Sequence, residues 1–282
     1  MSNANNIGRI GALAVAVGIG AGLAATPWVA SAEPNVSVSA NGETRVQKGT
    51  ATSSVSEDSR GSVAIAHGDG ADATATGGDN NKAIANGTDS SATASDGNHN
   101  TARVHGDNST AFAGSGSDNT AVVTGNDSSA GASFGSGNKA TVTGDGSSAA
   151  AFLGSDNTAT VTGDGSSATA RDGQGNTATV TGDNGSVAGA TDGNNNTATV
   201  TGDGSFAQAG NGNNNTATVT GDDFSQAVAG FGNDNNATVI GDSSAAVAVI
   251  GNNNTATVTG DGLSTIAVGG DVTRECPTDC DP

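Results

Sequence analysis

Large apolar side chains are what this 282-residue sequence has least of. Leu, Ile, Val and Phe together make up about a seventh of it, where a globular core ordinarily calls for about 20%. A conventional hydrophobic core is therefore excluded, and composition taken alone describes a disordered chain. Positive charge is the second scarcity. There are 9 Lys and Arg against 28 Asp and Glu, a formal net charge of −19, and no basic residue stands between Asp172 and Thr273. Such a field repels a phosphate backbone, so no nucleic acid is expected among the partners.

The N-terminus has the layout of an export signal over residues 1–32: Arg9, an apolar run from Ile10 to Ala25, a break at Pro27, and Ala30-Ser31-Ala32 as a small-residue cleavage site. A mature chain would begin at Glu33 and be secreted or held at the cell surface. The run is short for a membrane span and no second one follows, so no membrane span is expected after cleavage, a retained anchor being the alternative. The Ala- and Gly-rich leader resembles those of secreted mycobacterial and other actinobacterial proteins. In an exported chain Cys276 and Cys280, the only cysteines, are expected to form a local disulfide within "CPTDC". No further Cys or nearby His completes a redox or metal site with them.

What the sequence does have is repetition. The glycine closing each "TATVTG"-like phrase recurs at Gly68, Gly87, Gly106, Gly125, Gly144, Gly163, Gly182, Gly202, Gly221, Gly241 and Gly260, a spacing of 19 residues that twice becomes 20. Each interval holds two stretches of strict alternation, the mark of a strand with one buried face. Stacking the repeats aligns four columns. Alanine runs unbroken from Ala64 to Ala256, and Ala66 and Ala85 are followed by valine from Val104 to Val258. Alanine runs from Ala73 to Ala246 and ends in Thr265, and a last alanine column runs from Ala75 to Ala267. Side chains this small fill space only between sheets that approach more closely than the usual ~10 Å. The expected fold is all-β: a thin two-sided parallel β-solenoid of about eleven coils over residues 61–270, roughly 50 Å long at ~4.8 Å per coil. Residues 33–60 lack the alanine columns and carry Glu43, Arg45, Lys48, Glu57 and Asp58, which suits a capping segment. Residues 271–282 are expected to form a C-terminal tail.

Few residues invite chemistry. "GDGSSA" at Gly144–Ala149 matches a dinucleotide-binding pattern, but no helix follows and the glycines belong to corners. The calcium-binding nonapeptide of RTX repeats is absent in register. His67 and His105 are separated by Asn86 in their column, and no nucleophile stands beside a base, so an enzyme is not expected and no cofactor is implied. The column Asn81 to Asn254 reads as a structural ladder bonding coil to coil. An aspartate column includes Asp145, Asp164, Asp183, Asp203 and Asp222. It reads as turn residues accepting from their own backbone N–H groups, with a Ca2+ ladder as the alternative, since stacked carboxylates repel unless a cation or hydrogen bond intervenes.

The regular surface is threonine. Thr158, Thr160 and Thr162 are followed by Thr177, Thr179 and Thr181, by Thr197, Thr199 and Thr201, by Thr216, Thr218 and Thr220, and by Thr255, Thr257 and Thr259, all in outward columns. These T-x-T-x-T strands resemble the ice-binding faces of insect antifreeze solenoids, and the resemblance implies a flat array that orders water. The alanine-rich coils are also similar to head repeats of trimeric autotransporter adhesins and to curli coils. Threonine is in addition simply a favoured, soluble strand residue. The expectation is a non-enzymatic structural or adhesive solenoid facing a host or matrix surface. Ice binding and a calcium-binding or self-assembling extracellular scaffold are the alternatives. On the second sheet, the outward residues of the last three coils turn apolar, with Val228, Val247, Val249, Ile266 and Val268. Such a patch is expected to self-associate or to be covered by the tail.

Overall fold

The computed structural model describes residues 35–269, and every element in them is a β-strand. The expected export signal, the expected Cys276–Cys280 disulfide and the expected C-terminal tail lie outside the described residues.

Twenty-five strands build two sheets. Strands β4 (Val63–His67), β6 (Lys82–Asn86) and every second strand up to β24 (Thr255–Thr259) pair in parallel to form the first sheet. The alternate strands, from β3 (Thr52–Val55) and β5 (Asp72–Ala75) to β25 (Ser264–Val268), form the second. The chain therefore crosses from one sheet to the other at each corner, as a two-sided parallel β-solenoid of about eleven coils must. Register follows the columns: Ala159 lies beside Ala178 and Ala178 beside Ala198, while Val161, Val180 and Val200 line up two residues on. The inward alanines and valines of both sheets form one continuous core, and from Ala64 to Ala256 the first column is fully buried. The largest fully buried side chains are valine and asparagine, which is why so apolar-poor a sequence can fold.

Two coils have an extra residue, and the corner absorbs it. Thr177 pairs with Thr197 and Thr216 with Asn236, so both longer coils keep the register of the strands. The insertions appear as Asn184 and Gly185 with φ of 57° and 82°, and as Asp223 and Phe224 with φ of 51° and 66°. A slip of one residue inside a strand would turn its alanines to solvent; a looser corner costs far less. The corner glycines are required for a different reason. At Gly144 (φ 145°) an added Cβ would stand 2.1 Å from the carbonyl oxygen of Gly163, and at Gly154 (φ 149°) 1.8 Å from that of Gly173. Backbone stacks on backbone there, with no space for a side chain.

The N-terminal segment reverses the chain direction. β1 (Val36–Ala40) pairs antiparallel with β4, from Val36 opposite His67 to Ala40 opposite Val63. β2 (Glu43–Lys48) folds back antiparallel along the other side of β1. β3 already stands in parallel register with β5, Ser53 beside Ala73 and Val55 beside Ala75. Ser37 and Ser39 are fully or almost fully buried, and the hydroxyls of both meet that of Ser53 at 2.7 and 2.8 Å. Ser37, Ser39 and Ser53 thus fill this end of the interior with hydroxyls that bond to one another.

Candidate functional surfaces

The polar groups at the corners are engaged with one another. At one corner the asparagines from Asn81 to Asn254 are fully buried. The amide N–H of Asn176 donates to Oδ1 of Asn157 at 3.0 Å, and Asn176 Nδ2 donates to the carbonyl oxygens of Arg171 and Gly193 at 2.9 and 2.8 Å. The same exchange repeats one coil on, where the N–H of Asn196 donates to Asn176 Oδ1. Each carboxamide replaces the solvent that corner peptide groups have lost, which burial makes obligatory.

The other corner carries a serine ladder, absent from the expectations drawn from the sequence. Ser90, Ser109, Ser128, Ser147, Ser166, Ser186, Ser205, Ser225 and Ser244 are all buried. Ser147 Oγ donates to the Gly163 carbonyl at 2.7 Å and accepts the N–H of Ser166 at 3.1 Å. The signal was present: a serine three residues after the corner glycine in most coils, and four after it in the longer ones. It also stands two residues before an inward alanine, as Ser147 does before Ala149, so the alternation itself points it inward, although its setting beside the corner glycine makes it read as an ordinary turn residue. The final member is Leu263, whose N–H donates to Ser244 Oγ at 3.1 Å and whose half-buried side chain packs on the end of the core.

The aspartate column works differently from its reading as self-contained turns. Each carboxylate accepts the N–H of the residue one coil earlier: Asp145 N–H donates to Asp164 Oδ1 at 2.7 Å, Asp164 to Asp183 at 2.7 Å, Asp183 to Asp203 at 2.8 Å and Asp203 to Asp222 at 2.8 Å. The intervening hydrogen bond comes from a neighbouring coil because the corner stacks its amides along the solenoid axis. One oxygen of each carboxylate is thereby committed to backbone. Among the described residues no group of three or more His, Cys, Asp or Glu side chains is placed to hold a metal ion. His67 and His105 also serve a ladder, with Asn86 between them at 3.0 Å from Nδ1 of each.

The threonine columns remain. β14 (Thr158–Thr162), β16 (Thr177–Thr181), β18 (Thr197–Thr201) and β20 (Thr216–Thr220) are consecutive strands of the first sheet, in register throughout. Their outward threonines form a grid of about 4.8 Å across strands and about 6.7 Å along them. In each of these strands the first two threonines are half-buried and the third exposed. β22 (Asn236–Ile240) interrupts the grid with Asn236 and an exposed Ile240 before β24 restores it. Toward the N-terminus the same columns hold Lys139, Arg103, Lys82 and Ile84.

The five apolar outward residues of the second sheet come together as well. Val228, Val247 and Ile266 are successive neighbours in one file, and Val249 and Val268 are neighbours in the next. Ile266 and Val268 are exposed.

No family model, curated protein or solved structure matches this chain. The fold is a β-solenoid on its own geometry, and the likenesses to actinobacterial leaders, antifreeze faces and adhesin or curli repeats rest on the motifs alone.

Proposed function

We propose that this protein is a non-enzymatic extracellular β-solenoid that acts through its outer surface, as a structural or adhesive rod. The observation that carries this reading is how the polar side chains are used. Inward positions are alanine and valine, and the corner Asn, Ser and Asp groups bond to adjacent coils. The side chains left to meet a partner are those of the outward columns, of which the threonine grid is the most regular, and a few exposed apolar residues at the corners such as Phe224 and Phe231. A rigid, repetitive, hydroxylated plate suits a repetitive partner: a matrix polymer, a cell-surface array or a lattice of water.

That last partner is the second reading, and the in-register grid of β14 to β20 favours it. Rows of hydroxyl and methyl groups at fixed spacing can hold water in an ordered layer, as an ice surface would require. The discriminating experiment uses Thr199→Lys, a substitution on the middle column that leaves Ala198 and Val200 facing the core. Stability should change by no more than about 0.5 kcal/mol, while one long charged side chain lifts a flat partner off several threonines at once. Thermal hysteresis and ice shaping lost in Thr199→Lys would establish ice binding. Binding to matrix or cells lost in the same variant, without hysteresis in the parent, would establish adhesion. Neither activity in the parent, or no effect of the substitution, would remove the threonine grid from the function.

A further inference from the structure

We propose that the outer face of the second sheet is a self-association surface, on which a second copy of this chain packs face to face with its coils in the opposite order.

The first observation is where the large apolar residues are. A core that admits nothing larger than valine has no place for phenylalanine, and none of the chain's 6 is buried. Phe112, Phe152 and Phe206 stand at outward positions of the second sheet. No strand of the first sheet contains one. With Val228, Val247 and Ile266, they make one of the two faces distinctly apolar.

The second observation is a pair of glycines that the monomer does not explain. Gly131 and Gly189 sit at the outward middle positions of β11 (Ser129–Ser133) and β17 (Val187–Thr191). Neither has a positive φ, and a Cβ at either would meet nothing within 4 Å. Glycine inside a strand costs about 0.5–1 kcal/mol relative to alanine, and where no neighbour or turn requires it, it marks a place where another backbone comes close.

The third observation joins the other two. A two-fold axis along β17 would bring Gly189 against its own counterpart. Counting outward from it in both directions, Gly131 then faces Val247, and Ala150 faces Val228. In the adjoining file Phe152 meets Gly230, and Val268 meets Gly114. At these four places a larger residue of one copy falls on a smaller one of the other, over glycines that are themselves buried at 114 and 230. At the two ends of the middle file Phe112 meets Ile266, apolar against apolar, as the core of a self-complementary interface allows. The available area is adequate. Nine coils at about 4.8 Å and five residues at about 3.4 Å give roughly 700 Å² of flat face, close to the roughly 800 Å² per partner of a stable interface. From β9 (Thr110–Gly114) to β25 the outward positions carry a single charge, Arg171, which would lie opposite Gly210. The acidic corners would come alongside each other at the rim, so added salt should tighten the dimer.

The test measures the mass of the full chain by light scattering at high micromolar concentration. The expected result is a dimer, strengthened by salt, with Thr199→Lys on the opposite sheet leaving it intact. Gly189→Arg, which the axis places in the interface twice, should halve the mass while leaving the circular dichroism and melting temperature of the monomer unchanged. In a Cys276→Ser, Cys280→Ser background, Gly189→Cys should oxidise to a covalent dimer. Gly131→Cys should cross-link with Val247→Cys in a mixture and not with itself. A monomeric parent chain, a dimer indifferent to Gly189→Arg, or cross-linking of Gly131→Cys with itself in preference to Val247→Cys would each overturn the proposal.

Discussion

The backbone N–H of Asn176 donates to the side chain of Asn157, one coil earlier, at 3.0 Å, and both residues are completely buried. The ladder that this bond belongs to joins coils through side chains where the strands have ended and backbone pairing alone would leave gaps. Asn176→Ala removes two donors and one acceptor at once, stranding the N–H of Asn196 and the carbonyls of Arg171 and Gly193. A buried group left without its partner costs about 1–3 kcal/mol. Chemical denaturation should therefore show a loss of about 3 kcal/mol, with water entering the corner preventing a larger one. A loss under about 1 kcal/mol would mean that the ladder follows the fold and does not hold it.

Much of this fold was legible because its two signals are periodic. Alanine at Ala159, Ala178 and Ala198 and valine two residues on have no reason to recur except to face one interior. The asparagine column was legible for the same reason. Three features were hidden, each for a physical cause. Ser147 continues the inward alternation of Ala149 and Ala151 by one more step, but exposed Asp145 and Gly146 beside it make it read as part of the turn, and only the stacked coils show the carbonyl and amide that its hydroxyl joins. Asp164 binds the coil before it and not its own turn, a distinction that exists only once the coils are stacked. The reversal of β1 follows from Asn41 and Gly42, with φ of 49° and 80°, which form a short turn that reads locally like any other. The surfaces were legible as columns but not as functions, because threonine is chosen for strands whatever they face.

The commitment of aspartate oxygens to backbone amides leads to an expectation about ions. Carboxylates stacked about 4.8 Å apart repel one another, and any salt screens that repulsion. Sodium chloride should thus raise the melting temperature, and calcium at matched ionic strength should raise it no further. A ligand that binds only the folded state stabilises by mass action, so an additional calcium-dependent rise, abolished by Asp183→Asn, would show that Asp145, Asp164, Asp183, Asp203 and Asp222 hold the metal after all.

Ile250 occupies the corner in left-handed backbone conformation, φ 59°, with its side chain 62% exposed. A β-branched residue is among the least suited to that region, where a non-glycine residue pays roughly 1–2 kcal/mol and asparagine is tolerated. The same position one coil earlier but one is Asn211, at φ 54°. Ile250→Asn should accordingly stabilise the fold by about 1 kcal/mol, losing little apolar burial. Equal or lower stability in thermal melts would mean that the exposed isoleucine is held by packing at this corner.

The last expectation concerns the two ends of the solenoid. β1 lies antiparallel along β4 and occupies hydrogen-bonding groups that the first coil would otherwise present to solvent. β2 then lies outermost, an entirely exposed strand carrying Glu43, Arg45 and Lys48, the kind of charged edge that resists further pairing. At the opposite end, β24 and β25 are the outermost strands of their sheets among the described residues. Removing residues 35–50 would uncover the edge of β4, which runs in the same direction as β24 and has alanines at the matching inward positions. A second copy could then continue the first as if it were the next coil. Leu263 and Thr265, bulkier than the Ser and Ala of their columns, would obstruct that junction. The truncated chain should therefore form end-to-end fibres slowly, and Leu263→Ser with Thr265→Ala should accelerate them, both followed by electron microscopy and thioflavin fluorescence. A truncated chain that stays folded and dispersed would show that β1 and β2 are not what keeps this end from assembling, and fibres unaffected by the two substitutions would remove β25 from the junction.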